Sequence, residues 1–290
     1  MLSTLLPVVE SSVIPAARPP ARDFAPPAWA TLAVRWLGQG LATVRGLGAF
    51  ALITLAVLIR KWGTATHVVR PLIRREMARD GVRLLPLFLF LALALGLVVV
   101  GQTVSWLTRI GAIDYLGSVM AVVVVRELGP LTAALVVLAR VGTGNVVELG
   151  TARATGEVEA LEATGIDPIH YLVVPRLVGM AASLFALTVY LLLGALVSGY
   201  VWAFLQDVPL LPGEYFRQLA GALGWIDFLV LALKTLGFGA IIAIITCYHG
   251  LAQPLRLREV SAATVRAVGQ SVVACVLLDA CFILSYLVPR

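Results

Sequence analysis

Two stretches of the chain carry no charged side chain over more than the thickness of a lipid bilayer. One lies between Arg83 and Arg109, the other from Leu177 to Gln206. A spanning helix needs about 20 mostly apolar residues, so both predict transmembrane helices. Three further apolar runs are long enough but carry charge in their interiors: Ala112 to Val141 with Arg126 and Glu127, Asp227 to Tyr248 with Lys234, and Thr264 to Val288 with Asp279. Five spans follow, with the two chain ends on opposite sides. Arg60, Lys61, Arg70, Arg74, Arg75, Arg79 and Arg83 precede the first span. Arg153, Arg176, Arg256 and Arg258 flank the connections after the second and fourth. The other side receives Arg109, Arg217 and the terminal Arg290. Lysine and arginine mark the cytoplasmic side, which predicts a cytoplasmic N-terminus and an external C-terminus.

Between Trp29 and Ile59 the pattern changes. Thr31, Arg35, Gln39 and Thr43 fall at i, i+4, i+8 and i+12, a polar stripe along one helix, while Leu32, Trp36, Leu41, Val44 and Leu47 lie largely away from it. This predicts an amphipathic helix lying in the membrane interface. Gly46 to Ile59 is apolar but short, and is expected to dip in or pack against the bundle, a sixth span being the competing reading. Before it, Pro15, Pro19, Pro20, Pro26 and Pro27 indicate a poorly ordered leader. The expected organisation is a leader over 1–28, N-terminal interfacial and cytoplasmic helices over 29–82, and a five-span domain over 83–290. A cytoplasmic region over 142–176 interrupts that domain. The fold class is an all-α membrane protein.

Composition sharpens this. Of 290 residues, 60% are hydrophobic and 13% charged, against about half and about a quarter in soluble domains. An ordinary cytosolic enzyme, a disordered chain and a collagen-like fibre are excluded on that ground. Cys247, Cys275 and Cys281 sit in apolar runs without paired spacing, as small core residues do. The net charge of +6 is met by membrane topology and anionic lipid, so nucleic acid is not an expected partner.

Within 142–176 a short helix is expected from about Thr151 to Thr164. Ala154, Val158 and Leu161 form its apolar stripe, Glu157, Glu159 and Glu162 its polar neighbours, and Gly165 its stop. Asp167 followed by Pro168 reads as an N-cap and first turn of the next helix. Such a helix either docks into a groove on a partner or is a solvated connector.

Arg126 and Glu127 lie 11 and 12 residues beyond Tyr115, roughly 16 Å into the membrane. A charge there costs about 2.5–3.5 kcal/mol. Pro130 lacks an N–H, so the Arg126 carbonyl loses its helical donor. Together these suggest a water-accessible cavity, a helix interface or a polar clamp. Lys234 lies about 10 Å and Asp279 about 13 Å from the outer boundary. They are therefore expected to approach each other or to line one cavity, unless Lys234 snorkels to the surface. His67, His170 and His249 lack metal-ligand spacing, and neither GxxxxGK[ST] nor GxSxG occurs. No metal or cofactor is expected in this chain.

The strings RELGPLTAALVVLARVG, ELGTARATGEVEALEATGIDPIHYLVVPR and VSAATVRAVGQSVVACVLLDACFIL resemble the MlaE family, permease subunits of lipid-transporting ABC systems that work with MCE proteins. The likeness covers about Arg83 to the C-terminus. It implies a homodimer of subunits with an interfacial helix and five spans, cytoplasmic P-loop ATPase subunits that bind ATP and Mg, and an MCE protein on the periplasmic side. Any STAS-domain protein would be a separate chain. Glu157, Val158, Leu161 and Glu162 would belong to the coupling helix that engages the ATPase. Arg126, Glu127, Lys234, Asp279 and Gln102 match polar membrane positions of the family and are the candidates for a phospholipid cavity. The function so implied is glycerophospholipid transport between the inner membrane and the MCE protein. An ion- or proton-coupled secondary transporter using Glu127 and Asp279, and a membrane scaffold, are the other classes the residues allow.

Overall fold

The computed structural model of the chain describes residues 28–61, 66–205, 211–251 and 256–287. The expected leader, apart from Ala28, and parts of the loops after residues 205 and 251 lie outside them. By packing, the chain divides into two units, 1–44 and 45–290. The first is helical from Ala28 onward. Helices α1 (Ala28–Lys61), α2 (Thr66–Asp80), α3 (Leu85–Leu95) and α4 (Gly101–Arg109) are followed by α5 (Leu116–Met120), α6 (Gly129–Val137) and α7 (Thr143–Ala154). Then come α8 (Glu157–Ala163), α9 (Val174–Leu205), α10 (Pro212–Ala222), α11 (Trp225–Leu251) and α12 (Val260–Leu287).

Six helical runs among the described residues are long and apolar enough to cross a membrane, not five. The additional run is Thr43–Lys61. The apolar residues after Gly46 do not start a new element but continue α1, and the joined helix supplies the length that the run lacks alone. Only Thr54 of this run is buried, and Val44, Leu52, Ile53 and Ile59 are at least half accessible, while Leu47, Phe50 and Leu58 pack against the neighbouring core.

Four short π-helical stretches punctuate the long runs, at Gly96–Val100, Ala121–Leu128, Leu138–Gly142 and Ile169–Val173. At the end of each, a backbone N–H reaches five residues back: Gly101 to Gly96, Gly129 to Val124, Thr143 to Leu138 and Val174 to Ile169. Each π-turn inserts a residue and redirects the face that follows; such turns favour functional positions.

Helix α9 is the centre of the bundle, and small residues set its closest approach. A Cβ on Gly96 would collide with Ser198 and the Ala195 carbonyl, and one on Gly199 with Val100. The Ser198 hydroxyl donates to the Ala92 carbonyl at 3.2 Å. Gly194 and Ser198, which the sequence offers as a small-xxx-small pair, thus seat α3 against α9 within one subunit. Phe88, Val137, Leu184, Phe238 and Ile242 form one core, and Val100, Met120, Leu196 and Tyr215 another.

Helix α7 follows directly on the Leu138–Gly142 turn and buries Asn145, Val146, Leu149 and Gly150. One local expectation is corrected: the short helix does not begin at Thr151. Gly156 adopts φ +82°, a left-handed conformation that breaks the helix there, so α8 starts at Glu157. The connection between α9 and α11 holds a further helix, α10. Pro212 opens its first turn, and Tyr215 and Leu219, one turn apart, are buried. The Tyr215 hydroxyl donates to the Leu196 carbonyl at 3.3 Å, and burial pushes its pKa up to about 12.

Candidate functional site

The site grows from a defect in one helix. Arg126 and Glu127 occupy the π-turn Ala121–Leu128, and Pro130 cannot donate to the Arg126 carbonyl. Lys234 of α11 supplies the missing donor: its Nζ lies 2.7 Å from that carbonyl oxygen. The same ammonium donates to Glu127 Oε2 at 3.1 Å and pairs with Asp279 Oδ1 at 2.7 Å. Three oxygens from two neighbouring helical runs, the second being α12, thus surround one cation that is 1% exposed. Burial that deep rules out snorkelling. Consecutive residues point about 100° apart on a helix, and Arg126 accordingly turns to a different partner, pairing with Asp227 Oδ1 at 2.9 Å. Asp227 in turn accepts from the Gly224 N–H at 2.9 Å, anchoring the first turn of α11.

The result is a chain of ion pairs, Asp227–Arg126 beside Glu127–Lys234–Asp279. Asp227 and Asp279 are each 8% exposed. Asp227 was legible only as a span boundary. Its spacing of two helical turns from Lys234, which puts both on one face of α11, is the signal that finds it. Gln102 stands apart: it is exposed on α4 and joins none of these pairs. Beside Arg126 and Asp227 an apolar groove of about 520 Å³ runs between α9, α10 and α11, lined by Val125, Leu192, Leu196, Leu219, Leu223 and Leu231 among others.

A second charged cluster at the other end of the bundle has no counterpart in the sequence reading, which took its arginines as topology markers. Arg176, only 4% exposed, reaches Glu148 at 2.8 Å and Glu76 at 3.7 Å. Arg79 bonds Glu76 at 2.7 Å, Glu148 at 2.9 Å, Asp80 at 3.3 Å and Asn145 Oδ1 at 3.1 Å. Helices α2, α7 and α9 are clamped together. The legible trace was Glu76, Arg79 and Asp80 at i, i+3 and i+4, with Asn145 and Glu148 three apart.

Helix α7 leads from this clamp through Gly156 to α8. Glu157, Glu159 and Glu162 are exposed, Leu161 is half-buried, and Val158 is 2% exposed. Val158 packs against Leu149, Val173, Cys247 and Leu251, so it seats the helix rather than presenting a surface. Arg153 pairs with Glu159 at 3.3 Å. Gly165, with φ +79°, ends the segment, and Asp167 caps the next helix by accepting from the Ile169 N–H at 3.0 Å.

Asp167 also takes a hydrogen bond from Lys61, at the end of α1, at 2.7 Å. Burial pushes its carboxyl up, but the Lys61 ammonium and the Ile169 N–H outweigh burial and hold it below its ordinary value. A depressed carboxylate stabilises the fold above its unfolded pKa and loses that contribution as pH falls through the folded value. The hydrogen-exchange protection factor over 164–169, taken against the intrinsic rate at each pH, should therefore stay constant from pH 7 to about 5 and fall below about 4. Asp167→Asn should exchange fast throughout and remove the pH dependence.

Charges buried among apolar helices, six runs long and apolar enough to cross a membrane and no strand among the described residues define a polytopic helical membrane protein. The chain belongs to the MlaE permease family, whose sequence profile matches residues 73–285. It is 30% identical over 235 residues to a probable ABC transporter permease protein of Rickettsia felis, covering 78% of this chain and 86% of that one. It is 32% identical over 231 residues to the probable ABC transporter permease protein slr1045 of Synechocystis, covering 76% and 85%. Protein TRIGALACTOSYLDIACYLGLYCEROL 1, chloroplastic, of Arabidopsis thaliana is 30% identical over 216 residues, 73% of this chain and 59% of that one. The chain is thus an ABC transporter permease, which implies an ATPase partner.

Proposed function

We propose that this permease moves glycerophospholipids between the bacterial inner membrane and a periplasmic MCE protein, as a non-catalytic homodimeric subunit. ATP and Mg bind the partner ATPase, and any STAS-domain protein is a separate chain. The N-terminus lies in the cytoplasm and the C-terminus in the periplasm. One observation carries the reading: five charged side chains from three helical runs join beside an apolar groove of about 520 Å³, within the size range of ligand sites. Burying that much charge costs several kcal/mol per ion, and a polar cargo with apolar tails gives it a use. The plant relative's name is that of a glycerolipid, which supports a lipid cargo.

In this mechanism ATP-driven closure of the partner subunits displaces α8. The movement passes along α7 to the clamp at Glu148 and Arg176 and on to the π-turn that carries Arg126 and Glu127. Arg126 and Lys234, released from their carboxylates, hold the lipid phosphate by charge-assisted hydrogen bonds. Val125 and its groove neighbours receive an acyl chain. A proton-coupled secondary transporter is the second reading, favoured by one count: three carboxylates face two cations in the ion-pair chain.

The test is transfer of a fluorescent phospholipid from liposomes containing the permease and its ATPase to the MCE protein. Transfer should require ATP, and Arg126→Gln, Glu127→Gln, Lys234→Met and Asp279→Asn combined should abolish it while ATPase association survives. Unchanged transfer by that variant would sink the reading, and transfer driven by a pH gradient without ATP would establish the second one.

A further inference from the structure

About 21 Å beyond Arg126 along its helical run, at 1.5 Å per residue, Arg140 borders a separate cavity. This cavity of about 610 Å³ lies between the start of α3 and the Leu138–Gly142 turn leading into α7. Its polar side is formed by Arg79, Asp80, Arg83, Arg140, Asn145 and Glu148. Arg79 is fully engaged, bonding both carboxylates of the lining as well as Glu76 and Asn145. Arg83 and Arg140 are not: both are exposed and neither forms an ion pair with a described residue. Three arginines thus line the cavity with two carboxylates, and both carboxylates pair with Arg79, Glu148 with Arg176 as well. Asn145 is 1% exposed; its Oδ1 is taken by Arg79 while its Nδ2 meets no acceptor among the described residues. Two guanidinium groups without an ion pair among the described residues border this space. Beside the buried Asn145 amide and the buried Asp80 carboxylate that Arg79 already engages, they leave the cavity rim cationic and suited to an oxygen-rich anion.

The other wall says how that anion is carried. Leu84, Pro86, Leu87 and Val141 line it, and no charged residue follows Arg83 until Arg109. Arg83 therefore sits at the level where the hydrocarbon begins, with the apolar start of α3 directly beside it. A soluble phosphate uses the arginines and leaves this wall bare. A phosphate carrying acyl chains uses both.

We propose that this cavity is a resident binding site for the phosphoryl headgroup of an anionic phospholipid, drawn from the leaflet at this end of the bundle. The lipid bridges α3 to α7 and is distinct from cargo at the ion-pair chain. It does not depend on phospholipid being the transported molecule. Gly144 lines the cavity, and a Cβ there meets nothing within 4 Å, so a large side chain at this position fills the space without striking backbone.

The full chain, stripped of lipid in detergent and titrated with phosphatidylglycerol, is read by native mass spectrometry for lipid retained. Arg83→Gln with Arg140→Gln should weaken retention at least about tenfold, a loss of two charge-assisted contacts. Gly144→Trp should do the same by occupying the cavity. Lys234→Met with Asp279→Asn should leave this lipid in place, separating it from any cargo. Glycerol 3-phosphate at equal concentration should not compete. Competition by it would overturn the lipid assignment in favour of a soluble phosphoester. Wild-type retention by both the arginine pair variant and Gly144→Trp would overturn the site itself.

Discussion

Lys234→Met should destabilise the protein by about 3–5 kcal/mol, the range for removing one partner of a buried ion pair. The ammonium is contacted by the Arg126 carbonyl, Glu127 and Asp279, none farther than 3.1 Å. Methionine fills much the same volume but satisfies none of them. It leaves two carboxylates sharing a buried space and a backbone carbonyl without a donor. Thermal or denaturant unfolding in detergent should show a large drop, and Lys234→Met combined with Asp279→Asn should regain part of it, because one of the uncompensated charges is gone. Strictly additive losses would mean that the two side chains do not meet. Neutral pairs of this kind are often tolerated better than half-pairs, so stability recovers without transport. That split between folding and function separates a cargo-handling network from a purely structural clamp.

Val158→Asp should undock α8 while leaving the spans folded. The side chain is 2% exposed among Leu149, Val173, Cys247 and Leu251, and a carboxylate placed there has no partner. The cost is several kcal/mol. A seven-residue helix has no stability of its own in water. Hydrogen exchange over 155–165 should rise steeply while exchange in α9 and α11 is unchanged, and association with the ATPase should be lost. Val158→Ile, which adds one methylene and no charge, should cost about 1–3 kcal/mol. Glu162→Lys, on the exposed side, should weaken ATPase association without touching the melting transition. If Val158→Asp retained full association, α8 would not be the docking element.

The membrane class and most of the spans were readable because charge-free length is a one-dimensional property. So was the meeting of Lys234 with Asp279, since depth along a helix can be counted. The Arg126 carbonyl as a lysine acceptor was half-legible: Pro130 announces a lost donor but not who replaces it. The coupling helix illustrates the opposite case. Periodicity from Ala154 through Leu161 reads as one helix, and only the left-handed turn at Gly156 divides it. Glycine permits that conformation without announcing it. Helix α10 was hidden for a related reason, because Pro212 and Gly213 signal a turn as readily as a helix start. The clamp at Arg79 and Arg176 escaped because arginines near a span end serve topology as well as contact. Only tertiary packing decides which role each one plays.

The run Leu116–Ala154 is 39 residues long, about 58 Å at 1.5 Å per residue against a hydrocarbon core of about 30 Å. One rod therefore carries Arg126 and Glu127 in its first third and ends, some 28 residues or about 42 Å later, at Ala154, just before Gly156 and α8. In the mechanism proposed above, a rod this long would work as an oar with its fulcrum at the Glu148–Arg176 clamp, a small swing at one end being felt at the other as a change of aim.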